Sequence, residues 1–141
     1  MNEPEATAED VVQLTQALNA LFSHLDERRY EELACMFLPD GRWLRQGQWL
    51  EGREAILGAM SARPTTMRVR HVISNVVVAQ RSAQEASVQA YLTTYRRLEN
   101  QAPALFSINL VGNVFRRSDG RWLLAEQQLV REFEFNPVAL A

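Results

Sequence analysis

Two side chains in this sequence have the type and placement to do proton chemistry. His71 lies in Met67 to Gln80, MRVRHVISNVVVAQ, a β-rich stretch that sets an imidazole among apolar neighbours. At the strand period of two, Val69, His71, Ile73, Asn75 and Val77 share one face. Arg68, Arg70, Val72, Ser74 and Val76 share the other. A histidine on the more apolar face serves either as a hydrogen-bonded core residue or as a general base, and the spacing leaves both open. A free imidazole has a pKa of about 6.5, which makes it a competent base near neutrality. The second side chain is Asp26. It falls four residues after Phe22, at the edge of a helical apolar stripe and in the last turn of that helix. The negative end of the helix dipole gives a carboxylate no support there. Asp26 is therefore either a solvated helix end beside Glu27, Arg28 and Arg29, or a carboxylate held in place for a purpose.

The elements that must carry these residues follow from periodicity. Thr7-Ala8-Glu9-Asp10 is a capping pattern ahead of Val11, Leu14, Leu18, Leu21, Phe22 and Leu25, whose three- and four-residue steps predict a helix with one buried stripe. Tyr30, Leu33, Ala34 and Phe37 predict a second, short helix, stopped by Leu38-Pro39-Asp40-Gly41. Gly41 to Gly52 reads as a hairpin around Gln46-Gly47 that carries Trp43 and Trp49. A third helix is expected from Arg53 to about Ser61, ended by ARPTT. From Met67 the pattern turns to strands: Met67 to Gln80, Ala86 to Leu98, Ala104 to Arg117 and Arg121 to Phe135. Their connections are too short for helical crossovers, which predicts an antiparallel meander. The fold class is α+β, with three N-terminal helices packed on a strongly curved antiparallel sheet. Residues 1–7 are expected to be a disordered lead, and 8–141 a single domain.

Composition bounds the partners. With 141 residues, 47% hydrophobic content and 15 basic against 17 acidic side chains, the chain makes about one domain and has no charge footprint for nucleic acid. It has no membrane-length apolar run, and its acidic start lacks the features of a signal peptide, so a cytoplasmic location is expected. The single Cys35 falls on the short apolar helix and is expected to be buried. No cluster with metal-ligand spacing is present, and no metal or cofactor is expected.

Four segments in order, FSHLDERRYEELACMFLPDGRW, WLEGREAIL, VRHVISNVVV and NVFRRSDGRWLLAEQQLV, resemble the SnoaL-like branch of the nuclear transport factor 2-like superfamily. The resemblance covers about Ala8 to Phe135. It implies a cone, in which a curved sheet wraps against three helices around a pocket, with dimerisation through the outer sheet face. Scytalone dehydratase and hexachlorocyclohexane dehydrochlorinase, two similar enzyme types, pair a histidine on the first long strand with an aspartate at the end of the first helix. By position these are His71 and Asp26 here. The resemblance thus implies a dyad in which Asp26 fixes the tautomer of His71 and stabilises the imidazolium. The implied activity is that of a cofactor-independent lyase or isomerase, dehydratase- or cyclase-like, acting on a small, largely apolar cyclic molecule.

Registers taken from the family place Thr94, Arg96, Asn109 and Gln127 on the concave face as polar contacts. Phe22, Trp43, Val69, Ile73, Leu92 and Val111 are then the expected apolar walls. The terminal residues 136–141 are expected to act as a lid. The sequence also departs from the pattern. Leu25 stands where the dehydratase type has a tyrosine, Arg96 where it has a second strand histidine, and Leu21 where the dehydrochlorinase type has a lysine. The rival expectation is a non-catalytic protein, either a ligand binder or a relative of the small β subunits of ring-hydroxylating dioxygenases. In that case His71 is structural and the outer sheet face makes subunit contacts.

Overall fold

Helix α1 (Ala8–Asp26) starts where the capping pattern predicts: the Thr7 hydroxyl accepts the Asp10 amide at 3.1 Å. The structure, a computed structural model, describes residues 5–135, so the expected lid at 136–141 lies outside the described residues. Leu14, Leu18, Leu21, Phe22 and Leu25 form the buried stripe of α1. Each large apolar side chain buried in this way contributes about 1.5–3 kcal/mol. Val11, expected in the stripe, is 38% exposed. Arg28 adopts the left-handed conformation at φ 60° and turns the chain out of the helix.

Helix α2 (Tyr30–Ala34) is shorter than its apolar spacing suggests, and Phe37 opens a strand instead of closing the helix. The LPDG stretch is likewise not a turn. It lies inside β1 (Phe37–Arg45), which is irregular between Phe37 and Arg42. Pro39 lacks an amide proton and Gly41 passes so close to β6 that an added Cβ would sit 2.7 Å from the Leu124 carbonyl oxygen. Strand β2 (Gln48–Glu51) pairs back on β1 through Gln46 and Gly47, both at positive φ, as the hairpin reading predicts. Helix α3 (Arg53–Ser61) matches its expected bounds.

The long strands are β3 (Arg68–Gln80), β4 (Glu85–Arg97), β5 (Ala104–Ser118) and β6 (Arg121–Glu134), an antiparallel meander as expected. The sheet has the order β2-β1-β6-β5-β4-β3, and β1 lies parallel to β6. The sheet is therefore mixed and not wholly antiparallel, because the chain passes from α2 straight into the free edge of β6 without a reversing turn. The α+β class stands. One face meets the helices in a core of the α1 leucines with Ala86, Val88, Leu92, Val111, Phe115 and Leu124. On the other face Val72, Tyr91, Tyr95, Leu110, Val130 and Phe133 are exposed.

Two expectations fail for physical reasons. The period of two on β3 holds only to Ser74, because Asn75 sits at φ 56° in a bulge where the pairing with β4 shifts. Beyond it Val76, Val78 and Gln80 turn inward, and Val77, expected on the face of His71, is 63% exposed. Cys35 is exposed: α2 ends one residue before it, and the buried neighbours Ala34 and Phe37 face the core while Cys35 points away. Among the described residues no helix is long and apolar enough to cross a membrane.

Helix α1 is fastened to the sheet by an acid near each end. Asp10 takes Arg117 of β5 at 2.5 Å, and Asp26 takes His71 of β3.

Candidate active site

The C-terminal end of α1 is held against the start of β3 by several independent contacts. Arg28 donates to the Met67 carbonyl at 2.6 Å, Glu27 meets Arg70 at 3.1 Å, and Arg63 donates to the Leu25 carbonyl at 3.2 Å. β3 is the last strand of its sheet, so amides on its outer side have no neighbouring strand to pair with. Asp26 takes one of them: its Oδ2 accepts the His71 backbone N–H at 2.9 Å. Its Oδ1 lies 2.5 Å from His71 Nδ1. A carboxylate only accepts, so Nδ1 carries a proton, and in the neutral ring that leaves the lone pair on Nε2. The two side chains are 8% and 10% exposed, which keeps water from competing for this pair. The Phe22 ring packs on the imidazole at 5.3 Å between centroids and fixes its plane.

His71 lines a cavity of about 600 Å³, a volume in the range of small-molecule sites. Of the residues expected to contact a ligand, Trp43, Val69, Thr94, Arg96 and Asn109 line it. Cross-strand pairing brings them together: His71 faces Thr94, Val69 faces Arg96, and Thr94 in turn faces Ser107.

Phe22, Ile73, Leu92, Val111 and Gln127 do not line the cavity. The first four support it from the core, Phe22, Leu92 and Val111 being members of the buried cluster and Ile73 packing on it. Gln127 is fully buried and donates to Asn113 Oδ1 at 2.7 Å, while Asn113 donates to the Val88 carbonyl at 2.9 Å. Ile73, Leu92, Val111 and Gln127 lie on the sheet farther along its strands, and Phe22 covers them from α1.

Other lining residues were not singled out from the sequence: Leu25, Arg45, Arg63, Met67, Phe106, Ser107, Leu129 and Arg131. For some a signal was present. Arg45 is two residues from Trp43 and Ser107 two from Asn109, so strand alternation alone puts each pair on one face. Arg63 lies in ARPTT, which reads only as a helix stop.

Burial pushes the pKa of the Arg45 guanidinium below its ordinary value, and the charge of Arg63 pushes it the same way, with Tyr30 opposing. Among the described residues Trp43 Nε1, Ser107 Oγ and Asn109 Oδ1 are buried and have no hydrogen-bond partner. A buried polar atom left unpaired costs about 1–3 kcal/mol, a cost that this wall of the cavity carries. Among the described residues no group of three histidine, cysteine or acidic side chains is placed to hold a metal ion.

The model of the SnoaL-like domain matches residues 6–127. The chain belongs to the SnoaL-like domain family. The solved structures agree in fold. Aln2 from a Streptomyces species superposes with a TM-score of 0.82 at 20% identity, over 91% of this chain and 94% of that one. A protein of unknown function with a cystatin-like fold from Nostoc punctiforme gives 0.79 at 25% identity, over 92% and 96%. A candidate scytalone dehydratase from Novosphingobium aromaticivorans gives 0.77 at 20% identity, over 92% and 93%. No curated protein matches this SnoaL-like chain.

Proposed function

We propose that this SnoaL-like protein is a cofactor-independent lyase or isomerase whose general base is His71, acting on a small cyclic molecule held in the interior of a cone-shaped fold. The observation that carries the reading is the two-point grip of Asp26 on His71, through Nδ1 at 2.5 Å and the backbone amide at 2.9 Å, beside a ligand-sized cavity. Asp26 holds both the backbone and the ring of this histidine, and among the described residues Nε2 has no hydrogen-bond partner, as a base requires. Nε2 takes a proton next to a carbonyl or leaving group. Asp26 stabilises the imidazolium that forms, and the same nitrogen returns the proton in an isomerisation or releases it after an elimination. Thr94, Arg96, Ser107 and Asn109 offer donors to an oxyanion on the same face. The family and the candidate dehydratase among its structural neighbours support the reaction class.

The test is proton exchange with a simple cyclic ketone, 2-tetralone, in deuterated buffer followed by NMR. The protein should accelerate exchange at the carbon beside the carbonyl, and His71→Ala should lower that rate by about 10² to 10⁴. Equal rates for the two proteins would assign the chemistry elsewhere. The exposed apolar face of the sheet favours, in addition, a homodimer formed through that face; a self-contained dimer also separates this reading from that of an assembly subunit for a larger partner.

A further inference from the structure

The lining of the cavity is more cationic than a site for a neutral molecule requires. Arg45, Arg63, Arg96 and Arg131 all line it, and among the described residues no aspartate or glutamate does. Arg131 has a neighbouring acid in Glu134 at 3.5 Å. Arg96 lies 3.8 Å over the Phe106 ring, a contact that places its plane without neutralising its charge. Arg63 donates to the Leu25 carbonyl and the Tyr30 hydroxyl, both neutral. Among the described residues no carboxylate forms an ion pair with Arg45, Arg63 or Arg96. Arg45 and Arg63 are both half-buried and close enough for the charge of one to bear on the other. Two like charges held together this way destabilise the empty site, and an anion between them relieves the repulsion.

We propose that the cavity takes an organic carboxylate, its carboxyl group held by Arg45 and Arg63 and its ring lying against Met67, Val69 and Leu129. The planar guanidinium fork matches a carboxylate edge to edge. Arg63 has committed one terminal nitrogen to Leu25 and Tyr30, which leaves it a single free fork edge, the two-point match of a carboxylate, and binding of a phosphate is decided by the titration below. Apolar walls beside the arginines select an acid with a hydrophobic body. Anchoring one end of the molecule by charge also presents its C–H bonds to His71 in a fixed pose, the orientation that proton abstraction requires. The ligand is thus a cyclic acid and not a wholly apolar ring. This rests on the cavity being the substrate site, but not on His71 doing the chemistry.

The experiment is calorimetric titration of the full chain with 2-naphthoate, its neutral isostere 2-naphthamide, and 2-naphthyl phosphate. Naphthoate should bind at least about tenfold more tightly than the amide, the effect of one charge-assisted contact. Arg45→Gln should weaken naphthoate by about 10- to 100-fold and leave the amide unchanged. Arg63→Gln should act in the same direction, which keeps a second readout if one variant folds poorly. Equal affinity for acid and amide, no binding of naphthoate, tighter binding of the phosphate, or indifference to both substitutions overturns the proposal. The preference for acid over amide is read in the parent protein, so it stands whatever His71→Ala does to proton exchange; if that variant keeps full exchange activity, the base assignment fails while the carboxylate site stands.

Discussion

At the scale of single residues, Asp26 has two tasks, and substitution can separate them. Asp26→Asn keeps the size of the side chain and an oxygen for the His71 amide, but its NH₂ group donates to Nδ1 and so drives the imidazole proton to Nε2. The base is then in the wrong tautomer. Exchange activity should fall by at least about 10²-fold, within the range that general-base catalysis supplies, while the melting temperature shifts little; full activity measured for this variant would remove the tautomer argument. His71 and Asp26 were both visible in the sequence as candidates, one by strand period and the other by helix spacing. Nothing in the spacing joined them, because they are 45 positions apart and the register of α1 over β3 depends on Arg28, Glu27 and Arg63, whose partners are backbone carbonyls and another arginine. The arginines of the cavity were less legible still. An arginine on a strand reads as solvated surface until neighbouring strands show which way it points.

At the scale of elements, β3 shows how one residue redirects a strand. Asn75 takes the left-handed conformation at φ 56°, which asparagine tolerates and β-branched residues resist. Asn75→Val should cost about 1–2 kcal/mol in chemical denaturation, with Asn75→Gly close to neutral; similar losses for both would show that the bulge does not depend on backbone freedom. The bulge explains the division of β3. Val69 and His71 serve the cavity, while Val76 and Val78 serve the core after the face changes. A strict period of two located the half that holds His71 and misplaced Val77. The hairpin at Gln46-Gly47 and helix α3 were legible because their signals are local: a turn pair, and a run of apolar steps. The bulged course of β1 was not, since Pro39, Asp40 and Gly41 are turn formers in isolation and only the approach of Gly41 to Leu124 makes them part of a strand.

At the scale of the molecule, the clamp at the start of α1 predicts a pH dependence. Burial opposes ionisation of Asp10, but the Thr7 hydroxyl and the Arg117 charge outweigh it, so the carboxyl lies below its ordinary value of 3.8. A carboxyl with a depressed folded pKa adds stability that is complete above the ordinary value and is lost as pH falls through the folded one. Asp10→Asn should therefore destabilise the protein near neutral pH by about 1.5–3 kcal/mol, the worth of a hydrogen bond to a charged group, and the gap from the parent should close as the pH is taken below about 3.8. A gap that persists at low pH would mean that packing, not charge, holds this end. The exposed sheet face leads to a second expectation at this scale. Leu110→Arg, placed in the middle of that face, should turn the proposed dimer into a monomer in analytical ultracentrifugation without lowering exchange activity; an unaltered mass would move the interface elsewhere.

The paired fastening of α1 also has a mechanical consequence. A helix pinned near both ends behaves as a fixed beam, so it cannot swing outward to admit a molecule. The side of the cavity formed by α1 and β3 is thus the stiff side, and the opening motion falls to the opposite wall, where the Gln46-Gly47 turn projects from a two-stranded hairpin at the end of the sheet. A molecule entering from that side meets a turn with exposed residues, while the two contacts of Asp26 keep His71 in place.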